Sequence, residues 1–80
     1  MKNQIEVIYT GGGITIVEAN IGGGQYAVVS TEAIEFLTIY NRTSEEPYLP
    51  EDMVASITAD EMTDDQKALY YNMIEHLQNA

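Results

Sequence analysis

The residues of this chain best able to do chemistry are its carboxylates. Eight of the thirteen Asp and Glu side chains fall at Glu45, Glu46, Glu51, Asp52, Asp60, Glu61, Asp64 and Asp65, with no Lys or Arg among them. A calcium loop is excluded, because the alternating Asp or Asn positions ahead of a glycine are missing. Two readings of the cluster stand. Acidic side chains in a first helical turn complement the backbone dipole by ~0.3–1 kcal/mol each, so part of the cluster caps helices and keeps the protein in solution. Alternatively, the uninterrupted negative stretch presents a face to a basic groove on another protein. Tyr48 lies inside the same stretch. An aromatic anchor amid charge suits an interface, although a loop tyrosine also serves as the lid of a small core. The expected partner-binding set is therefore Glu45, Glu46, Tyr48, Glu51, Asp52, Asp60, Glu61, Asp64 and Asp65.

Other reactive residue types carry less. All six glycines occur as two triplets, Gly11-Gly12-Gly13 and Gly22-Gly23-Gly24. Consecutive backbone N–H groups can cradle an anion. Here, however, neither triplet opens a helical pattern or is followed by Lys, and no phosphate-loop or dinucleotide fingerprint is present. Short β-branched runs flank both triplets, which makes them hairpin turns, where glycine reaches positive φ without steric cost. His76 is the only histidine. It has no second His, no Cys and no HExxH pattern to make it a metal ligand, and it suits the negative end of a helix. Ser30, Ser44 and Ser56 lie in no nucleophile motif. The expectation is a protein that is not an enzyme and uses no cofactor or metal.

The elements that must position these residues belong to one small domain. Eighty residues without a cysteine bury only a little over ~60% of the unfolded surface, with no disulfide or thiolate metal site to help. A formal net charge of -10, with Lys2, Arg42 and Lys67 the only cations apart from His76, disfavours direct binding to nucleic acid or anionic membranes. It favours a basic protein partner. No apolar run reaches the ~20 residues of a membrane span. Met1 to Gln4 leads into a strand without an apolar signal segment, so the expected location is cytoplasmic.

Hydrophobic periodicity orders the chain. Ile5-Glu6-Val7-Ile8-Tyr9 alternates as a half-buried strand with Ile5, Val7 and Tyr9 on one face. Ile14 to Ile21 reads as a central strand covered on one face and partly on the other, and Gln25 to Val29 as a third. Ile34 to Tyr40 has strand composition, with Ile34, Phe36, Thr38 and Tyr40 on a shared face, while residues 32–39 also admit a weaker helical reading. Asn41 to Pro50 reads as a loop, and Pro50 then opens a short helix that buries Met53, Val54 and Ile57. Thr58-Ala59-Asp60-Glu61 and Thr63-Asp64-Asp65-Gln66 are two capping boxes. The second starts a helix from about Asp64 to Gln78 with the stripe Leu69, Tyr70, Met73, Ile74 and Leu77 and Ala68 at its margin. The fold class is α+β, an antiparallel meander of three or four strands with a C-terminal helix packed on one face.

Around Tyr9-Thr10-Gly11-Gly12-Gly13-Ile14, and on to Val17 and Ala19, the chain resembles small uncharacterised proteins of bacterial phages and integrative elements with an aromatic-TGGGI motif. The resemblance covers about a quarter of the chain and implies a mobile-element origin, with no activity and no site residues attached. Composition and this context together lead to an expected function. It is a non-enzymatic acidic protein that docks a negatively charged face on a basic protein surface, in the manner of a nucleic-acid mimic that inhibits a host defence or nucleic-acid-binding protein. The alternative is a structural module that associates with its own copies through an exposed sheet edge. A small-ligand site at the glycine turns and His76 has the least support.

Overall fold

A computed structural model describes residues 5–41 and 50–79. Five antiparallel strands follow one another in chain order: β1 (Ile5–Gly11), β2 (Ile14–Gly22), β3 (Gln25–Ser30), β4 (Phe36–Asn41) and β5 (Met53–Thr58). Among these residues one α-helix, α1 (Asp64–Asn79), follows the sheet. The α+β meander therefore stands, with five strands in place of three or four and with β3 in the centre.

The glycine triplets make the turns. Gly12 and Gly13, at φ 57° and 80°, form the two-residue loop that brings Gly11 opposite Ile14. Positive φ at both central residues is what the right-handed twist of a hairpin demands. The β2–β3 turn uses Gly23 and Gly24 in the same way, and the Gly22 N–H donates to Asn20 Oδ1 at 2.8 Å.

Alternation along the strands builds two unlike faces. One carries Val17 and Ala19 of β2, Ala27 and Val29 of β3, and Leu37 and Ile39 of β4, all buried beneath α1. Tyr70, Met73 and Leu77 are the buried face of the helix, and Leu69 and Ile74 pack at its sides. This is the expected stripe, although Ala68 is exposed. Thr63 and Gln66 complete their capping box: the Thr63 N–H donates to Gln66 Oε1 at 2.9 Å and the Gln66 N–H to Thr63 Oγ1 at 3.2 Å. The Tyr70 hydroxyl donates to the Ile34 carbonyl and ties the helix to the turn before β4.

Three expectations need correcting. Ile5 and Val7 pair with Ala19 and Val17, but Tyr9 pairs with Ile16, so the ladder shifts at Ile8. This bulge turns Tyr9 to the face opposite that of Val7. Pro50 opens only a 3₁₀ turn, Pro50–Asp52, after which β5 pairs with β4 from Phe36↔Thr58 to Tyr40↔Met53. Met53 and Val54, expected inside, are each 50% exposed at this sheet edge. The helical alternative for residues 32–39 is replaced by a 3₁₀ turn at Thr31–Ala33 and a strand from Phe36.

Candidate functional site

The acidic residues occupy the surface elements around β5. Glu51 and Asp52 lie in the 3₁₀ turn before it, Asp60 and Glu61 in the 3₁₀ turn Ala59–Glu61 after it, and Asp64 and Asp65 in the first turn of α1. Asp52 is half-buried and the other five are exposed. The six residues of β5, at ~3.3 Å each, set the first pair about 20 Å from the second. The structure thus divides the cluster into two groups at opposite ends of an edge strand. Glu45, Glu46 and Tyr48 lie outside the described residues.

Part of this charge serves the fold. Glu61 Oε1 accepts from the Thr58 N–H at 3.3 Å and from the Thr58 hydroxyl at 3.1 Å. The first capping box thus holds one 3₁₀ turn instead of starting an α-helix. Asp64 and Asp65 stand where the helix dipole favours carboxylates. His76 is exposed in the last turn of α1, and its Nδ1–H donates to the Asn72 carbonyl at 2.9 Å. That bond fixes its tautomer and holds the ring against its own helix. Among the described residues no group of three His, Asp or Glu side chains converges to hold a metal ion, and no helix is long and apolar enough to cross a membrane.

A second surface comes from the pairing of the strands. The sheet face away from α1 is concave and predominantly apolar. A hollow of about 600 Å³ is bordered there by Ile8, Tyr9, Ile16, Val28, Phe36 and Tyr40, with Ser30, Glu32, Ala33 and Thr38 completing its wall. β3 and β4 contribute through alternate positions and β2 through Ile16, and the β1 bulge brings Ile8 and Tyr9 to the same wall. Tyr9 folds over Gly11, with its hydroxyl 3.2 Å from where a Cβ on Gly11 would stand. Val28 is 9% exposed although none of the described helices covers this side. Beside the hollow, Glu6 and Glu18 face each other across β1 and β2, and with Asn20 and Tyr26 they line a smaller polar recess of about 170 Å³. Glu18 is 8% exposed and is the one buried charged side chain among the described residues.

Sequence reasoning saw partial cover on the second face of β2 but no site there. The available signal was the apolar run Ile14-Thr15-Ile16-Val17, interrupted only by Thr15, and the run Ala27-Val28-Val29, which mark strands apolar on both faces. Burial raises the pKa of Tyr70 above its ordinary value of 10.0, and the charges of Tyr71 and Glu35 push the same way. Its place on the buried face of α1 gives that shift a structural role. No protein-family model, curated protein or solved structure matches the chain.

Proposed function

We propose that the protein is a non-enzymatic binding protein that sets a negatively charged surface against a basic protein, of the kind that nucleic-acid-binding proteins present to their ligands. The observation that carries this reading is the exposure of Glu51, Asp60, Glu61, Asp64 and Asp65 on a chain of net charge -10, with no Lys or Arg between residues 50 and 66. Such a surface steers a cationic partner and repels anionic ones, and its pull falls with salt as exposed charges are screened within ~8–10 Å. A mobile-element inhibitor of a host protein is one setting in which this property is useful.

The test is affinity capture from a host lysate at low and high salt, using the wild type and a Glu51→Lys, Asp60→Lys, Asp64→Lys variant that leaves the Thr58–Glu61 cap intact. A basic partner should be retained by the wild type at low salt, released at high salt and lost with the variant. An unchanged set of captured proteins would refute the proposal.

The self-association alternative has its own support in β5. This edge strand, Met53–Thr58, carries no charged residue and has Met53 and Val54 half exposed. Among the described residues no further strand pairs with its outer row of N–H and C=O groups, which supports pairing with another copy. Sedimentation at high protein concentration separates the two readings, because edge pairing produces a concentration-dependent dimer and charge docking leaves a monomer.

A further inference from the structure

The sheet ends in two unlike edges. β1 guards its edge twice, with the charged residue Glu6 and with the bulge at Ile8 that interrupts its ladder. β5 has no charged residue, and its own ladder shift is confined to Val54, so Ala55 to Thr58 run in regular register against Ile39 to Phe36. α1 packs chiefly over β1, β2 and β3 and leaves β5 at the margin of the sheet. Ser56 is exposed, and Met53 and Val54 are each 50% exposed, so an incoming chain reaches this edge without displacing the core. Such an edge binds an extended segment by taking it up as a further strand. Backbone hydrogen bonds then supply affinity and alternate side chains supply specificity.

Charge at the two ends of β5 decides which segment. Glu51 and Asp52 flank its start and Asp60 and Glu61 its end, about 20 Å apart. Glu61 is held by Thr58, whereas Glu51 and Asp60 are exposed and make no hydrogen bond or ion pair among the described residues. A second copy paired antiparallel would bring Glu51 and Asp52 of one chain beside Asp60 and Glu61 of the other. Paired parallel, each acid would meet its own equivalent. Either arrangement gathers like charges at both ends of the new ladder, which opposes self-pairing. A strand that ends in Lys or Arg on both sides meets no such repulsion and sets each cation beside a pair of carboxylates. We infer that β5 is the docking edge for an extended, uncharged segment of the protein partner, matched to the six residues of β5 and bounded by basic residues. This rests on the reading of the protein as a binder of basic partners and gives that contact its geometry, backbone pairing held between two acidic ends.

The experiment titrates the isotopically labelled protein at low salt with three synthetic peptides. Each has a core of alternating Thr and Val, residues that favour strands, as long as β5. The first has a Lys pair at each end and the second a Glu pair. The third repeats the first with the amides of its core replaced by esters, which keeps charge and side chains but removes the backbone donors. The first should shift the amide resonances of Ala55, Ser56 and Ile57 to saturation and slow hydrogen exchange of the outward-facing β5 amides. It should bind ~tenfold or more tightly than either of the others. Glu51→Lys combined with Asp60→Lys, both at exposed positions, should weaken it ~tenfold, whereas Glu75→Lys, exposed in the C-terminal half of α1, should leave it nearly unchanged. Equal binding by the ester peptide would overturn strand addition and leave the acidic-surface proposal standing. Equal binding by the Glu peptide would overturn the basic flanks. No binding by the first peptide, or shifts that spare β5, would overturn the docking edge, and salt-dependent capture from lysate would still decide the acidic surface by itself. A dimer that forms without peptide and slows the same β5 amides would overturn the inference in favour of a second copy.

Discussion

Gly12 offers a test in which handedness can be separated from space. A Cβ built on Gly12 meets no atom within 4 Å, so a substitution there collides with nothing. Its φ is 57°, and Gly13 follows at 80°. An L-residue in the left-handed region costs roughly 1–2 kcal/mol. Against this, any side chain narrows the unfolded ensemble and returns ~0.4–1 kcal/mol. Gly12→Ala should therefore destabilise by about 1 kcal/mol, and Gly12→Val by more, because a β-branched residue is poorly tolerated there. D-alanine at position 12 restricts the unfolded chain equally but prefers positive φ, so it should stabilise by ~0.4–1 kcal/mol. The L/D difference of roughly 1–2 kcal/mol isolates the folded-state strain. A chain of this size is stable by only ~4–12 kcal/mol, and with a urea slope near 1 kcal/mol/M the two forms should unfold at midpoints roughly 1–2 M apart. The chain is short enough for total synthesis, and urea titration followed by circular dichroism reads the midpoints. Coincident midpoints for the L and D forms, or a more stable L form, would refute the positive-φ hairpin on which the β1–β2 register depends.

Two further predictions concern the helix. Met73 is fully buried against the sheet, so Met73→Ala should cost ~2–5 kcal/mol in urea unfolding, whereas Tyr71→Ala, at a residue 60% exposed, should stay within ~0.5 kcal/mol of the wild type. Tyr70→Phe removes the hydrogen bond to the Ile34 carbonyl and should cost ~0.5–1.5 kcal/mol. Because the folded Tyr70 holds its proton to higher pH than the unfolded value of 10.0, its contribution is complete below pH 10 and declines as pH rises through the folded value. The wild type should therefore lose stability above pH 10 more steeply than Tyr70→Phe, and parallel unfolding curves for the two would refute the assignment.

What could be read from the sequence is what short-range physics determines. The α1 stripe, the Thr63–Gln66 cap and the glycine turns all follow from residues within a few positions of one another, and all three appear in the structure. β5 does not follow in this way. Pro50-Glu51-Asp52 is a sound helix-start signal, yet it yields one 3₁₀ turn because Met53–Thr58 pairs with β4, a partner that no local window contains. The ladder shift near Tyr40 also breaks the alternation that would have marked Met53-Val54-Ala55-Ser56 as a strand. Tyr9 falls on the face opposite to the one alternation predicts for the same reason, since a bulge is a property of two strands together. The acidic residues were easy to find, but β5 separates them into two groups. The apolar hollow draws on four strands and the turn before β4, so no one segment announces it.

Every strand bonds only to those immediately before and after it in the chain, and this order has a consequence in time. Hairpins closed by two glycines form within microseconds. Docking α1 joins distant positions, as the 36-residue separation of Ile34 and Tyr70 illustrates, and must wait for the sheet to assemble. In that interval both faces of the sheet are bare, and two apolar surfaces with unprotected edges make a species prone to clump with its own kind. The ten excess negative charges are already present then. Mutual repulsion keeps nascent chains apart until the helix arrives, so the charge that the finished surface carries also protects the unfinished one.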